Sequence, residues 1–351
     1  MSAELGIIEG FYGEPWSWQA REHAIRFLKP HGYGFYYYAP KADAFLRKRW
    51  REPHPAGIRD GLAKLSQFCR AQGVRFGVGL SPYELYRNFD GTAKEELDRK
   101  LAELDAIGVE SLAILFDDMR GDLPDLARTQ IEIMHWIAPR THAKHLMMCP
   151  SYYTDDPMLD RVFGKRPENY LEHLGRGLDR AIDIFWTGEE VCSREYSVSH
   201  LARVSGQLGR KPFLWDNYPV NDGPRMSQYL HLRAFTGRPK AIGDHLAGHA
   251  VNPACQPVLS LIPALTLADS YAQGENYAYG EAFARAAERV LGRELGQKVR
   301  EDLVFLQDVG LDRLDKSAER LKKRYADIDH DGAREILAWL EGKYRFTGEM
   351  S

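Results

Sequence analysis

Ser111–Asp118, S-L-A-I-L-F-D-D, is an apolar run that ends in two adjacent carboxylates. Leu112, Ile114, Leu115 and Phe116 give it the length and composition of a buried strand rather than a helix. Asp117 and Asp118 follow at once, with Met119 and Arg120 behind them. A buried carboxylate is costly unless it is paired or hydrogen-bonded. Taken alone, the pair reads as a strand end leaving into solvent, with one Asp capping the next helix. The rest of the chain changes that reading, because similar strand ends recur on both sides.

Three runs precede it: Leu5–Tyr12, closed by Gly13 and Pro15, Gly34–Ala39, closed by Pro40, and Val74–Leu80, closed by Ser81-Pro82. His145–Tyr153, Asp183–Thr187 and Pro212–Tyr218 follow, and an eighth strand lies within Ala241–Val251. Helical spacing fills the intervals. Ser17 caps a helix carrying Ala20, Ala24, Ile25, Phe27 and Leu28, which stops at Pro30. The others are predicted over Ile58–Ala71, Lys94–Ile107, Leu126–Ile137, Pro167–Leu178, Val198–Leu208, Met226–Phe235 and Val258–Ser270. Eight strands alternating with eight helices over residues 1–272 predict an α/β fold, the (β/α)8 TIM barrel, whose usual size is about 250 residues. A doubly wound sheet fits less well, because no Gly-rich phosphate loop follows the first strand. Residues 273–351 are charged and helical, with apolar spacing over Arg285–Leu295, Lys298–Leu306 and Arg334–Tyr344. They predict a small C-terminal helical appendage packed on the barrel, joined through Gln273–Gly280.

Composition limits the function classes. With 351 residues, 44% hydrophobic, 28% charged and a net charge of −3, the chain reads as soluble and globular. Nothing in that balance suggests a nucleic-acid or membrane surface. Cys69, Cys149, Cys192 and Cys255 are far apart and form no C-x-x-C pair, which predicts free thiols in a reducing compartment. The N-terminus shows neither a basic leader nor an apolar signal core, and no run approaches the roughly 18 apolar residues of a bilayer span. A cytoplasmic location is therefore expected; oligomeric state is not specified.

Metal and nucleotide motifs are incomplete. Asp327–Gly332 imitates the start of a calcium loop, but Ala338 stands where the twelfth-position Glu belongs, so Asp caps in a polar helix connection are expected instead. His245 and His249 are four residues apart without the glutamate of H-E-x-x-H. No G-x-S-x-G elbow and no P-loop occur. No metal or organic cofactor is expected.

In a barrel of this kind the chemistry gathers at the C-terminal ends of the strands. Those ends carry Glu9–Tyr12, Tyr38–Lys41, Asp117-Asp118, Tyr152-Tyr153, Trp186–Gly188, Trp215–Asn217 and Asn252-Pro253. Acids, amides, a lysine and flat rings on one rim are the equipment of a sugar pocket. The motifs G-I-I-E-G-F-Y-G-E-P-W (Gly6–Trp16), Y-A-P-K (Tyr38–Lys41), W-R-E-P (Trp50–Pro53) and F-D-D (Phe116–Asp118) open a longer series. C-P-S-Y-Y (Cys149–Tyr153), W-T-G (Trp186–Gly188) and W-D-N-Y-P-V-N-D (Trp215–Asp222) continue it in order. Together they resemble the family 84 glycoside hydrolases, O-GlcNAcases and hyaluronidase-like β-N-acetylglucosaminidases, from about Gly6 to Pro253.

The resemblance implies a retaining exo-hydrolase that removes terminal β-linked N-acetylglucosamine (GlcNAc) from a glycoprotein or glycan. The sugar's own 2-acetamido oxygen would attack the anomeric carbon, an exception to the usual pair of carboxylates. It implies that Asp117 holds the acetamide N–H and that Asp118 is the general acid, then the base. Repulsion between adjacent carboxylates agrees, favouring one protonated and one ionised. By the same resemblance Gly10 offers backbone to the sugar, Lys41 binds the 3-hydroxyl and Asp222 grips the 4- and 6-hydroxyls. Asn217 and Asn252 line the pocket, Tyr153 supports the acetamide oxygen and Trp215 floors the site. Each has an ordinary reading too: core aromatics for Trp215 and Tyr153, a turn residue for Asn217, a solvated charge for Lys41. Ala42 departs from the acid that many relatives carry after the lysine, which predicts a looser hold on Lys41. The alternative function is a catalytically silent GlcNAc-binding barrel, which would not need a general acid.

Overall fold

Residues 3–346 are described by the computed structural model. Among them, eight parallel strands close into a barrel in sequence order. They are β1 (Leu5–Glu9), β2 (Tyr33–Tyr38), β3 (Arg75–Leu80), β4 (Ser111–Leu115), β5 (His145–Cys149), β6 (Ile182–Trp186), β7 (Phe213–Asp216) and β8 (Gly248–Val251). Closure comes from β8, which pairs β7 on one side and sets His249 against Leu5 of β1 on the other. The barrel expected from the sequence is therefore present. β1, β5 and β7 stop earlier than their apolar runs, at Glu9, Cys149 and Asp216. Beyond those points backbone groups turn to side-chain partners, as when Gly10 N–H donates to Asn252 Oδ1 and Ser151 N–H to the Tyr170 hydroxyl. The residues past the ladder build the rim.

The barrel interior is filled by rings. Phe35, Tyr37, Phe185 and Phe213 meet edge to face at centroid distances of 5.3–6.2 Å. Such pairs contribute more than their buried area alone. Trp215 continues this edge-to-face packing, its ring 5.2 Å from that of Phe185. A β-carbon at Gly10 would lie 2.3 Å from the Trp215 ring, so glycine there is required by the ring's position. The pocket floor is thus the top layer of the core.

Asp216 is fully buried at the end of β7, and it is matched there. Arg238 donates to it twice, at 2.9 and 2.7 Å, and His249 Nε2 lies 3.0 Å away. Arg238 also donates to the Ser193 carbonyl at 2.8 Å, so one guanidinium ties two rim loops to β7. Removing one partner from such a pair costs about 3–5 kcal/mol, because a buried charge is left uncompensated. His249, half of the i, i+4 histidine pair, is committed to this cluster and to the Tyr271 hydroxyl.

Two expectations need correction. Met226–Phe235 is not a helix: Gly223–Met226 forms a single turn, and the chain then runs irregularly to a 3-10 segment at Lys240–His245. Leu230, Leu232 and Ala234 are buried in alternation with His231 and Arg233, a period of two that the helical reading overlooked. The stretch bonds instead to the C-terminal region. Leu230 N–H donates to the Leu306 carbonyl, and Leu232 and Arg233 N–H both donate to Gln307 Oε1. In the C-terminal region, Tyr279–Val304 is two helical pieces that meet at a kink at Gly292, whose backbone is not helical, rather than at the expected break after Leu295, and Lys316–Tyr325 is a helix that went unpredicted. Its only buried anchors are Leu321 and Tyr325, too sparse a stripe to read as a pattern. Asp331–Leu340 begins at His330, whose ring accepts the Gly332 N–H, so histidine rather than Asp caps it. Glu335 fixes that helix to the barrel by accepting the Val258 and Leu259 N–H groups, each at 2.9 Å. Among the described residues no helix is long and apolar enough to cross a membrane.

Candidate active site

Adjacent residues of a strand point to opposite faces. Asp117 and Asp118 nonetheless face one cavity, because β4 ends at Leu115 and Asp118 takes a left-handed backbone, φ +53°. Asp tolerates that region better than most residues. The kink swings the second carboxylate round to join the first. Around them lies a cavity of about 280 Å³ at the C-terminal end of the barrel. All nine residues singled out from the sequence line it: Gly10, Lys41, Asp117, Asp118, Tyr153, Trp215, Asn217, Asp222 and Asn252.

Lys41 holds the pair together, its ammonium 2.5 Å from Asp117 Oδ2 and 3.5 Å from Asp118 Oδ2. Burial would lower its pKa, but Asp117 and Asp118 hold it well above the ordinary lysine value. Ala42 follows it in the chain, and the next residue is an acid. Asp43 pins the loop, accepting the Tyr38 hydroxyl at 2.9 Å and the Phe45 N–H at 3.0 Å. Asp118 accepts two hydroxyls, from Tyr12 at 2.9 Å and Tyr153 at 3.1 Å. Asp117 Oδ1 is buried and has no hydrogen-bond partner among the described residues.

These surroundings split the carboxylates. Burial, with the Asp118 charge added, lifts the pKa of Asp117 against the pull of Lys41. Burial also works against ionised Asp118, yet Lys41, the Tyr12 hydroxyl, Arg47 and the Tyr153 hydroxyl together bring it below the ordinary range. The two carboxylates are thus pushed in opposite directions, Asp117 up by burial and Asp118 down by its donors and nearby cations. Asp222 is pushed up to about 6 by burial, although the Tyr12 N–H bonded to it at 2.7 Å pulls the other way.

The amides form one chain. Gly10 N–H donates to Asn252 Oδ1 at 3.2 Å, Asn252 Nδ2 to Asn217 Oδ1 at 2.9 Å, and Trp215 Nε1 to the same oxygen at 3.0 Å. Asn217 Nδ2 donates in turn to the Val191 carbonyl. Each asparagine keeps one N–H for a ligand, while Gly10, its N–H engaged, has only its carbonyl to give. Tyr153 carries its hydroxyl proton to Asp118, not to open space.

Tyr12 and Arg47 were missed. Tyr12 bonds Asp118 through its hydroxyl and Asp222 through its backbone N–H, so it bridges two acids of the pocket. Its place in G-F-Y was visible, but no spacing rule marks it. Cys192, the one exposed cysteine, and Gly223–Met226 add rim that the motifs left out. The other three thiols are buried and free.

Residues 5–308 match the family model described as beta-N-acetylglucosaminidase, NAGidase. The chain is 30% identical over 279 residues to the protein O-GlcNAcases of Mus musculus and Rattus norvegicus. That alignment covers 76% of this chain and 30% of each relative, so the chain spans under a third of their length. Its structure is similar to a mutant of the Thermobaculum terrenum O-GlcNAc hydrolase, with a TM-score of 0.79 and 30% identity. The match covers 96% of this chain and 80% of that one.

Proposed function

The chain belongs to the beta-N-acetylglucosaminidase family, and on that premise we propose that it is a retaining exo-hydrolase of terminal β-linked GlcNAc. Its substrates are GlcNAc-bearing proteins or glycans, and the sugar's acetamide is the nucleophile. A cavity of about 280 Å³ suits one monosaccharide at a chain end. Free cysteines fit action in a reducing, cytoplasmic setting.

The observation that carries the reading is the unpartnered, buried Asp117 Oδ1 beside a fully occupied Asp118. A buried acceptor without a donor is costly, and a bound amide N–H repairs it. The acetamide then has two effects on the shared proton. Its N–H on Asp117 favours the ionised form there, and its carbonyl draws the single Tyr153 hydroxyl proton away from Asp118. Both effects favour ionised Asp117 beside protonated Asp118, the arrangement that the reaction uses. Protonated Asp118 supplies the leaving oxygen's proton, and as a base it later takes one from water. Ionised Asp117 faces the positive charge that develops on the acetamide. Lys41, within 3.5 Å of both carboxylates, keeps the pair compact through each step. Turnover of methylumbelliferyl β-N-acetylglucosaminide by the purified protein tests the assignment. Binding of GlcNAc without turnover would replace it with the silent binder.

Asp222 gives a pH prediction. Its ionised carboxylate accepts two sugar hydroxyls, and protonation removes acceptor capacity. With its pKa near 6, inhibition by GlcNAc should weaken as pH falls through that value, approaching about tenfold per unit below it. Asp222→Asn should bind more weakly at neutral pH and lose this dependence. The check is the inhibition constant of GlcNAc from pH 7.5 down to pH 5, about two units.

A further inference from the structure

Arg47 is a buried cation that the reaction scheme above does not use. It is 5% exposed, and its Nε and Nη2 have no hydrogen-bond partner among the described residues. An unpaired guanidinium in the interior is costly unless other groups compensate its charge. The guanidinium lies between two rings, 5.5 Å from the centre of Tyr12 and 5.9 Å from Tyr83. Cation–π attraction offsets part of the cost and fixes the Tyr12 ring from one side. The other end of that ring is the hydroxyl that donates to Asp118. The anions that its charge reaches include Asp117 and Asp118 of the pocket.

We infer that Arg47 is a positioning residue for the proposed hydrolysis, a second fixed cation that acts on the aspartate pair through Tyr12. The charge count supports this. Asp117, Asp118 and Asp222 face the cavity, and the cations lining it are Lys41 and Arg225. Among the described residues only Lys41 pairs with the two aspartates, which leaves the pair an excess of negative charge when the shared proton departs. Arg47 lowers the pKa of both Asp117 and Asp118, and it opposes the burial that raises Tyr12. The other groups that face the pair are Tyr12, Tyr153, Asp222, Cys149 and Lys41. Facing Arg47 are Tyr12 and Tyr83, and the Lys48 ammonium also lies over the Tyr83 ring, 5.9 Å from its centre. Among the described residues no acid forms an ion pair with Arg47.

The inference rests on the hydrolase reading, and the test separates the two. The pH profile of kcat/KM is measured for wild type, Arg47→Gln and Arg47→Lys on methylumbelliferyl β-N-acetylglucosaminide. A wild type without turnover defeats the hydrolase reading. With an active wild type, the alkaline limb reports the pair giving up its shared proton. Removing a nearby positive charge disfavours the doubly ionised pair, so in Arg47→Gln that limb should move up by about half a pH unit or more. Arg47→Lys keeps the charge and should hold the limb within about 0.2 units, with kcat/KM within about tenfold of wild type. A structural role alone would lower activity with the limb unmoved, and that result overturns the inference. If Arg47→Gln does not fold, Arg47→Lys decides: a limb displaced beyond that margin is the overturning outcome.

Discussion

Asp118→Ala is expected to lose about 10²–10⁴-fold in kcat/KM on methylumbelliferyl β-N-acetylglucosaminide, while keeping much of its activity on the dinitrophenyl analogue. The difference follows from the leaving groups. General-acid help is needed in proportion to how poorly the group departs, and dinitrophenolate leaves without a proton. Asp118 is built for proton traffic. Two tyrosines donate to it, its backbone is left-handed, and its side chain is the more exposed of the pair, at 19% against 7% for Asp117. Azide should restore turnover to this variant by attacking the intermediate and yielding a β-glycosyl azide. Comparing the two substrates, with and without azide, is the check. An equal loss on both, with no azide effect, would contradict the assignment.

The second large effect belongs to Asp117. Asp117→Ala should be slow on every substrate, by about 10²–10³-fold, with little recovery as the leaving group improves. Its task is to hold the nucleophile and face the charge on the acetamide, which no leaving group can replace. The substitution also strands Lys41, whose ammonium lies 2.5 Å from the lost carboxylate. Azide should not rescue it. A plot of log kcat/KM against leaving-group pKa distinguishes the variants: steep for Asp118→Ala, parallel to wild type for Asp117→Ala. If the steep line is that of Asp117→Ala, the two roles are exchanged.

The barrel was legible because each strand is a short apolar run closed by a Gly, a Pro or a polar rim residue. Parallel strands covered by helices bury both faces and leave that signature. The β7–β8 crossover was not, since its alternating burial depends on Leu306 and Gln307, residues about seventy positions away whose placement no local window contains. The helix Lys316–Tyr325 is hidden for another reason: only Leu321 and Tyr325 of it are buried, so its apolar stripe is too sparse to read.

The site divides in the same way. The nine residues lie in motifs at strand ends, and they line one cavity. What the motifs did not carry is how those residues spend their hydrogen bonds. Tyr153 donates to Asp118, Gly10 has committed its N–H to Asn252, and burial lifts the pKa of Asp117 while that of Asp118 is lowered. Arg47 is the sharpest case. In sequence it is one arginine among several before W-R-E-P; only burial without a partner marks it as different.

The claim on which the rest depends is that the substrate's own acetamide oxygen attacks the anomeric carbon. Fluorine on the acetyl group weakens that oxygen as a nucleophile and barely changes its size. The measurement is kcat/KM of the wild-type protein on aryl glucosaminides carrying acetyl, monofluoroacetyl, difluoroacetyl and trifluoroacetyl groups. The account predicts a steady fall of about two orders of magnitude or more across the series. Values within a few-fold of one another would mean that a group of the protein attacks instead, and would contradict it.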